Sequence, residues 1–340
     1  LTGYAAALDI GTTTIAVRII DRASGETLAS ASAWNAQAPY GADVISRIKH
    51  ASKPGGLAKL TDTVRAQARE LISIACGDAN VAHEYIGEIL CAGNTTMEHI
   101  FAGISPESIG RAPYTPATYF DAGEELRDGA FPNAMIRLAP CVSGYIGGDT
   151  VAAVHATGMA GKDGVRLLLD IGTNGEIVLG GRDGLISCSV ACGPAFEGAE
   201  ISCGMRSVPG AISRVSFAQG EFWYVVIGGG YPKGICGTGI VDALAEMLRS
   251  GVVDGTGRLL EPDELPEGLR GTVSVNKKGN LSFTVAPGVK IRAADIRKLQ
   301  LAKAAVRAGV ELLMKSAGVS AADIDEVCLA GGSGTQLNIA

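Results

Sequence analysis

Apolar and polar positions follow a pattern along this chain that occurs twice. Two apolar runs each end in Asp, turn sharply through glycine and threonine or asparagine, and continue into a second β-like run; the turns lie within residues 8–14 and 169–175. Apolar runs on both sides of a tight polar turn predict a β-hairpin at each place, continuing over residues 15–20 and 176–179.

A third strand and a helical pattern follow each predicted hairpin. The third strands are expected over residues 27–34 and 185–191. Apolar residues then recur every three or four positions over residues 61–75 and 295–314, which predicts two amphipathic helices. Each helix leads into a strand that ends in Ala-Gly and a polar turn, within residues 88–95 and 326–334. This order of elements indicates that one α/β unit occurs twice.

The residue types at the two hairpin tips suit a phosphate. Glycine lacks a Cβ atom, so backbone N–H groups can approach an oxyanion closely, and threonine or asparagine adds side-chain donors. A single Asp-x-Gly-Thr segment is also typical of an ordinary β-turn, and the second copy is what favours a binding site. Two such turns facing each other would hold a nucleoside triphosphate from both sides. The predicted phosphate-binding residues are Gly11, Thr12, Thr13, Thr14, Gly172, Thr173, Asn174 and Gly175.

Asp9 and Asp170 precede these turns at the ends of the apolar runs. A carboxylate at the end of a buried strand is costly unless a cation or a donor meets it, and a hydrated Mg²⁺ beside a polyphosphate is a natural partner. We therefore expect both residues to act in catalysis by holding Mg²⁺ through water.

The arrangement resembles the superfamily of actin, sugar kinases, acetate kinase and heat-shock chaperone ATPases. The resemblance implies an α/β fold of two ribonuclease-H-like domains, residues 1–157 and 158–340, with an ATP cleft between them. The second domain would carry insertions near residues 204–234 and 250–285. An apolar hairpin pattern lies within the first of these, and its Trp223 is expected to be a core residue. An adenosine motif is implied within residues 329–334, through Gly331, Gly332, Ser333 and Gly334.

Residues 143–149, followed by a small-residue helix over residues 150–159, are similar to the first connecting motif of that superfamily. In glycerol-type kinases a Gly-Asp at this place supplies the catalytic carboxylate. The resemblance therefore implies that Asp149 is the general base, or that it orients the attacking water or acceptor. Asp also suits the N-cap of a helix, and the two roles can coexist.

A glycine-rich segment that predicts the start of a helix begins at Cys236. A helix N-terminus of this kind is suited to anions, so Gly237, Thr238 and Gly239 are predicted nucleotide ligands, with helix capping and tight packing as the alternative. Residues 193–198 are expected to lead into the cleft, where Glu197 would meet Mg²⁺ or a main-chain donor.

Five further segments occur together in this order and narrow the resemblance: residues 35–48, 93–97, 192–198, 236–242 and 299–303. Together they resemble the ATPase part of the reductive activators of corrinoid proteins, over nearly the whole chain. That family implies ATP-dependent reduction of a cobalt(II) corrinoid to the cobalt(I) state needed for methyl transfer. It also implies a corrinoid protein as partner, ATP and Mg²⁺ as cofactors, a homodimer, and an N-terminal [2Fe-2S] domain that supplies the electron.

The eight cysteines depart from the full family pattern, because none of them has the C-x₄-C-x₂-C spacing of a plant-type cluster. The chain also begins at Leu1 rather than Met and ends soon after the adenosine motif. We therefore expect a fragment that lacks the electron-carrying domain and the end of the second domain. Most of the cysteines are expected to be buried thiols.

Three other functions share the predicted fold. A small-molecule kinase would use the same two turns with Asp149 as base, and an actin-like assembly module would form nucleotide-dependent filaments. An ATPase activator of a hydroxyacyl-CoA dehydratase would bridge a cluster between subunits. Anaerobic reconstitution of this chain is expected to give no cluster, which would set it apart from that last class.

The net charge and the hydropathy of the sequence argue against nucleic acid and a membrane as partners. The formal net charge is −6, which does not favour nucleic acid. No run of 18 apolar residues and no signal-peptide pattern is present, so we expect a cytoplasmic protein without a membrane span.

Two uses are open for the segment 35–48. Asp43 and Arg47 are four residues apart and suit an ion pair across one helical turn. Alternatively, Asn35, Tyr40 and Asp43 line the side of the cleft where a kinase would hold its acceptor.

Overall fold

The computed structural model describes residues 3–121, 125–172, 174–334 and 336–338, with the side chains of residues 125 and 333 outside that description. The predicted ligand Thr173 and the side chain of Ser333 therefore lie outside the described residues. The chain divides into two compact units, Leu1–Gly158 and Met159–Ala340.

The first unit is built on one sheet. Its strands are β1 (Tyr4–Ile10), β2 (Thr14–Asp21), β3 (Thr27–Trp34), β4 (Ile86–Gly93), β5 (Glu125–Leu126) and β6 (Met135–Leu138). They lie in the order β3-β2-β1-β4-β6-β5. Strand β2 is antiparallel to β1 with Ile15 opposite Ile10, and β4 is parallel to β1 with Gly93 opposite Ile10. The β1–β2 turn and the end of β4 therefore meet at one edge of the sheet.

The described residues of this unit form the α-helices α1 (Val44–Ala51), α2 (Gly56–Asp78), α3 (Thr95–Ala102) and α4 (Gly148–Thr157). The helix predicted over residues 61–75 is confirmed within α2. Its apolar residues Val64, Ala68 and Leu71 are at most 4% exposed and share one core with Leu8 and Ile15 of the hairpin. Burial of this apolar stripe holds α2 against the sheet.

The second unit repeats the same arrangement. Strands β7 (Val165–Ile171), β8 (Gly175–Gly181), β9 (Gly184–Val190) and β16 (Ile324–Ala330) form a sheet in the order β16-β7-β8-β9. Strand β16 is parallel to β7 with Ala330 opposite Asp170, just as Ala92 lies opposite Asp9 in the first unit. The repetition predicted from the sequence is confirmed in this strand register.

Helix α6 (Ala293–Ala317) contains the pattern predicted over residues 295–314 and connects two apolar cores. Ile296 and Leu299 lie in a core with helix α5 (Gly237–Arg249). Leu313, at the other end of α6, packs with Leu167 and Ile177 of the four-stranded sheet. The last helix, α7, is a single turn over Gly331–Gly334.

Each region predicted as an insertion forms a small sheet, and the second sheet extends to Arg292, beyond the predicted bound at residue 285. Strands β10 (Ala211–Ala218), β11 (Glu221–Val226) and β12 (Gly234–Ile235) form one three-stranded sheet, and β13 (Val273–Val275), β14 (Leu281–Ala286) and β15 (Val289–Arg292) form another.

The expectation that Trp223 is a core residue is wrong. Side chains alternate between the two faces of β11, and Phe222 is the one that faces the core, with its ring centroid 4.7 Å from that of Phe283. Trp223 points the other way and is 56% exposed. Separately, no helix among the described residues is long and apolar enough to cross a membrane.

Asp295 ties the start of α6 to Ser202, in the segment ahead of β10. Its carboxylate is 1% exposed and accepts hydrogen bonds from the Arg292 N–H at 2.9 Å, the Ser202 N–H at 2.9 Å and the Ser202 hydroxyl at 3.1 Å. Asp295 therefore caps α6 and also links the helix to Ser202, which is distant in sequence.

We expect Asp295→Ala to lower the free energy of unfolding by about 2–4 kcal/mol, because a helix cap and two long-range hydrogen bonds to a charged carboxylate are lost. The matched control is Asp323→Ala, which removes an exposed carboxylate that accepts from the Ser320 N–H at 2.7 Å. Urea unfolding of both variants measures the difference. Equal losses would contradict the long-range role of Asp295.

Candidate functional site

The β1–β2 turn of the first unit is held from behind by buried donors. The Asn35 side-chain amide donates to the Gly11 carbonyl at 2.9 Å, and the Asn35 N–H donates to the Thr13 carbonyl at 2.9 Å. Arg47 donates from Nη2 to the Thr12 carbonyl at 2.6 Å. The three carbonyl groups of the turn are thus bound within the protein, which fixes the conformation of the loop.

Glycine is required at the start of this turn. A Cβ atom on Gly11 would lie 2.6 Å from the Thr14 carbonyl oxygen. The turn can therefore be this tight only without a side chain at that position.

The guanidinium of Arg47 is fully buried, with 1% of the residue exposed. It donates to the Gly41 carbonyl at 3.0 Å and to Gln37 Oε1 at 3.2 Å, besides its bond to the turn. Burial lowers its pKa to about 10, which still leaves it charged at neutral pH. A positive charge therefore lies directly behind the predicted phosphate turn.

These contacts give the segment 35–48 a use that differs from the two expected ones. Asp43 caps α1 by accepting from the Ser46 N–H at 2.7 Å, while Arg47 makes its hydrogen bonds toward the turn. Asn35 is 1% exposed and lies beneath the turn, so it does not line an entrance for an acceptor. The segment supports the turn from inside the unit.

Two helix N-termini meet at the same edge of the sheet. Asn94 caps α3 by accepting from the Met97 N–H at 3.1 Å, and its side-chain amide donates to the Thr12 hydroxyl at 2.9 Å. Gly147, the N-cap of α4, is so close that a Cβ atom there would lie 2.5 Å from the Asn94 Cα atom and from the Gly93 carbonyl oxygen. The turn and the two helix starts bring backbone N–H groups and the positive ends of two helix dipoles to one edge of the sheet, an arrangement that suits an anion.

Asp149 lies in the first turn of α4, two residues after the N-cap. The helix cap position is therefore held by Gly147, and the N-cap alternative for Asp149 is wrong. Its Oδ1 atom accepts from the Thr150 N–H at 2.7 Å and from the Thr150 hydroxyl at 3.4 Å. Burial raises the pKa of this carboxyl above its ordinary value, against the opposing effect of those hydrogen bonds.

Glu98 of α3 is a second carboxyl beside Asp149, and it is completely buried. Its Oε2 atom accepts from the Gly148 N–H at 3.4 Å, and its Oε1 atom has no hydrogen-bond partner among the described residues. Burial first, and the charge of Asp149 second, raise its pKa to about 9. Glu98 is therefore protonated at neutral pH.

Asp170 of the second unit lies against the turn that follows β16. A Cβ atom on Gly331 would overlap Asp170 Oδ1, and Gly331 has a φ of +80°, in the left-handed region that favours glycine. Glu197 Oε1 is close as well, 3.7 Å from where a Cβ atom of Gly172 would stand. Within the turn itself, the Gly172 N–H donates to the Asn174 carbonyl at 3.0 Å. The structure thus brings together Asp170, Gly172, Glu197 and Gly331.

The start of α5 is tightly packed. Cβ atoms on Gly237 and Gly239 would overlap the carbonyl oxygens of Phe196 and Ile212. The Thr238 hydroxyl donates to the Ser213 carbonyl at 3.1 Å. This packing accounts for the two glycines, and nucleotide contact by Gly237, Thr238 and Gly239 stays a prediction.

Three residues of the first site were not predicted to serve it: Arg47, Asn94 and Glu98. Asn94 follows a strand that ends in Ala-Gly, and this could have marked it as a helix cap. The sequence around Glu98 is that of an ordinary short helix and contains no comparable signal. Its role depends on which residues the fold places behind Gly148.

Comparisons with known proteins cover nearly the whole chain. Residues 4–162 match the family model described as the RACo middle region, and residues 164–340 match the model described as the C-terminal domain of RACo, the ASKHA domain. The solved structure of a reductive activator for corrinoid, iron-sulfur protein is similar over 97% of this chain and 54% of its own, with 37% identity and a TM-score of 0.82.

Two curated relatives are similar over nearly all of this chain. The corrinoid activation enzyme RamQ of Eubacterium limosum is 33% identical over 99% of this chain and 58% of its own length. The Co(II) methylated amine-specific corrinoid protein reductase of Methanosarcina barkeri is 24% identical over 98% of this chain and 64% of its own length. The chain thus spans less than two thirds of the length of these relatives. The family matches confirm the predicted α/β fold of the actin-like ATPase class.

We expect Gly147→Ala to lower the free energy of unfolding by about 1–3 kcal/mol, because the new methyl group meets backbone atoms that cannot rotate away. The control is Gly129→Ala in the same unit, where no atom lies within 4 Å of the added carbon. Urea unfolding measures both. Equal stability of the two variants would contradict the close contact between α4 and Asn94.

The pKa of Glu98 predicts a specific dependence of stability on pH. Between the ordinary value of 4.5 and the raised value of about 9, the folded state holds a proton that the unfolded state releases. The free energy of unfolding therefore loses up to about 1.4 kcal/mol per pH unit from this group as the pH rises. Glu98→Gln removes this loss, so its gain over wild type should be larger at pH 8 than at pH 5.

Thermal unfolding at both pH values measures that gain. Glu84→Gln, which removes an exposed carboxyl of the same unit, is the matched control. A gain for Glu98→Gln that is the same at pH 5 and pH 8 would show that Glu98 is not protonated in the folded state.

Proposed function

Because the chain belongs to the RACo family, through both the middle region and the C-terminal ASKHA domain, we propose that it is the ATP-binding and ATP-hydrolysing module of a reductive activator of corrinoid proteins. The observation that carries the proposal is the meeting of the β1–β2 turn with the N-termini of α3 and α4 beside Asp149. N–H groups converge there, and a buried cation stands behind them. This is the chemistry that polyphosphate recognition requires.

In this proposal the first turn binds phosphate oxygens through its backbone and through hydroxyl groups. The turn comprises Gly11, Thr12, Thr13 and Thr14, and Gly172, Thr173, Asn174 and Gly175 act in the same way in the second unit. The buried charge of Arg47 favours an anion at the first turn, while its bond to the Thr12 carbonyl holds the loop still. Binding thus needs little rearrangement of the protein.

Mg²⁺ fits the donors that the chain offers. Asp9 and Asp170 stand at the ends of two equivalent strands, and no three His, Cys, Asp or Glu side chains group together as a metal site in the part of the chain that the structure describes. A hydrated ion that takes most of its ligands from water and phosphate suits such a donor set. When bound, Mg²⁺ would supply neutralisation of the phosphate charge.

Asp149 is the residue to which we assign orientation of the attacking water and acceptance of its proton. It stands at the start of α4, and its raised pKa brings it nearer to the operating pH of a general base. Hydrogen bonds from Thr150 hold its Oδ1 atom in place.

The adenosine would lie at the turn after β16, formed by Gly331, Gly332, Ser333 and Gly334, with help from the start of α5. Binding and hydrolysis of ATP would then favour a conformer of the activator–corrinoid complex in which cobalt(II) is reduced to cobalt(I). The electron would come from a [2Fe-2S] domain, whose cysteine spacing this sequence does not contain. Homodimerisation and a cytoplasmic location remain predictions.

We expect the protein to bind Mg·ATP and to hydrolyse it faster when a cobalt(II) corrinoid protein is added. Asp149→Asn should lower kcat by about 10²- to 10⁴-fold with little change in nucleotide affinity, because a positioned base is lost. Asp9→Asn should instead weaken binding of the nucleotide in the presence of Mg²⁺. Calorimetry for binding and phosphate release for turnover measure the two effects.

Asp62→Asn, on the exposed face of α2, is the control variant. Hydrolysis by Asp149→Asn at the wild-type rate would contradict the catalytic assignment. A folded sample that binds no nucleotide would contradict the proposal as a whole.

A further inference from the structure

Helix α3 is unusual because its polar side chains are buried. Thr95, Thr96, Glu98 and His99 are each at most 1% exposed. Thr95 donates to the Ser143 carbonyl at 2.6 Å, and His99 lies 2.7 Å from the Thr95 carbonyl oxygen through Nδ1. Glu98 differs from these two, since one of its oxygens has no hydrogen-bond partner among the described residues. A buried polar atom of this kind calls for a functional explanation.

The Glu98 carboxyl lies against the backbone of the residue before Asp149. The Gly148 N–H donates to Oε2, and a Cβ atom on Gly148 would overlap Oε1. The same Cβ atom would lie 2.7 Å from the Cβ atom of Ala139. Glycine at position 148 is thus what allows this carboxyl to reach the first turn of α4.

We propose that Glu98 is a positioning residue for Asp149: as a neutral carboxyl it fills the space behind the first turn of α4 and leaves Asp149 as the single negative charge there. The inference rests on the proposed function, in which Asp149 acts on the attacking water. The proton stays on Glu98 throughout the reaction.

The surroundings of Glu98 favour its neutral form. The titratable groups that face it are Cys91 on β4, Cys141 ahead of α4 and Asp149 itself. The charge of Glu98, were it ionised, would raise the pKa of both thiols, while Arg65 on α2 acts on Cys91 in the opposite direction. Among the described residues, no Lys or Arg side chain lowers the pKa of Glu98.

Ionisation of Glu98 would bring a second negative charge to the start of α4. Two carboxylates side by side disfavour each other's charged form, and both would repel the phosphates of a nucleotide. The neutral state of Glu98 is therefore a condition for binding an anion next to Asp149. Wild-type turnover should decline as the pH rises through about 9, where Glu98 loses its proton.

The experiment compares wild type, Glu98→Gln and Glu98→Ala in the full chain, with kcat and KM for Mg·ATP measured from pH 6.5 to 10 and corrected for the folded fraction at each pH. Glu98→Ala leaves a gap behind α4 and should lower kcat about 10- to 100-fold at nearly constant KM, because Asp149 is no longer held in place. Glu98→Gln keeps the shape and should recover most of that loss. It should also lack the alkaline decline.

A decline of Glu98→Gln in parallel with wild type above pH 9 would overturn the proposal, as would an unchanged kcat for Glu98→Ala. Glu84→Gln controls for the loss of a carboxyl and should follow wild type.

A second readout does not require turnover. Carbon-detected NMR titration of the Glu98 carboxyl should show its pKa fall in Asp149→Asn, since one of the two causes that raise it is removed. An unchanged pKa would show that the two carboxyls are not coupled. If the pKa falls but Asp149→Asn hydrolyses ATP normally, the carboxyl pair stands and the catalytic assignment of Asp149 fails.

Discussion

The hydrogen bond from the buried guanidinium of Arg47 to the Thr12 carbonyl is the interaction on which the first site depends. A buried cation is tolerated only when its donors are used, and Arg47 uses them on the turn itself, on Gly41 and on Gln37. The bond ties α1 to the β1–β2 hairpin and places positive charge behind the turn. Truncation of Arg47 would therefore cost both stability and anion binding, because the loop carbonyls would lose their donor.

The two units share a strand register but differ in how each turn is supported. Asp9 lies opposite Ala92 and Asp170 lies opposite Ala330, so the two carboxylates occupy equivalent places. The first turn is supported from within by Asn35 and Arg47, whereas Asp170 packs against the backbone of Gly331. The start of α4 adds Asp149 to the first unit, the residue that we propose acts on the attacking water. The repeated unit thus supplies the framework, and the residues added around each turn give it a separate task.

Much of this could be predicted from the sequence, because it depends on local patterns. Hairpins, third strands and the long helices follow from apolar periodicity, and the prediction for Asp149 follows from the resemblance of residues 143–149 to the connecting motif of the superfamily. Arg47 and Glu98 could not be assigned, since their roles come from contacts with residues distant in sequence, the Thr12 carbonyl and the Gly148 backbone. Trp223 was misplaced because strand propensity does not determine which face of a hairpin is buried.

The most direct test of the central claim is a crystal structure of the protein with Mg²⁺ and a non-hydrolysable ATP analogue. The account predicts that phosphate oxygens accept hydrogen bonds from the N–H groups of the β1–β2 turn, with Asp149 facing the terminal phosphate through a water molecule. It also predicts that the bonds from Asn35 and Arg47 to the turn are unchanged. Phosphates bound away from that turn, in a protein that keeps this fold, would contradict the account.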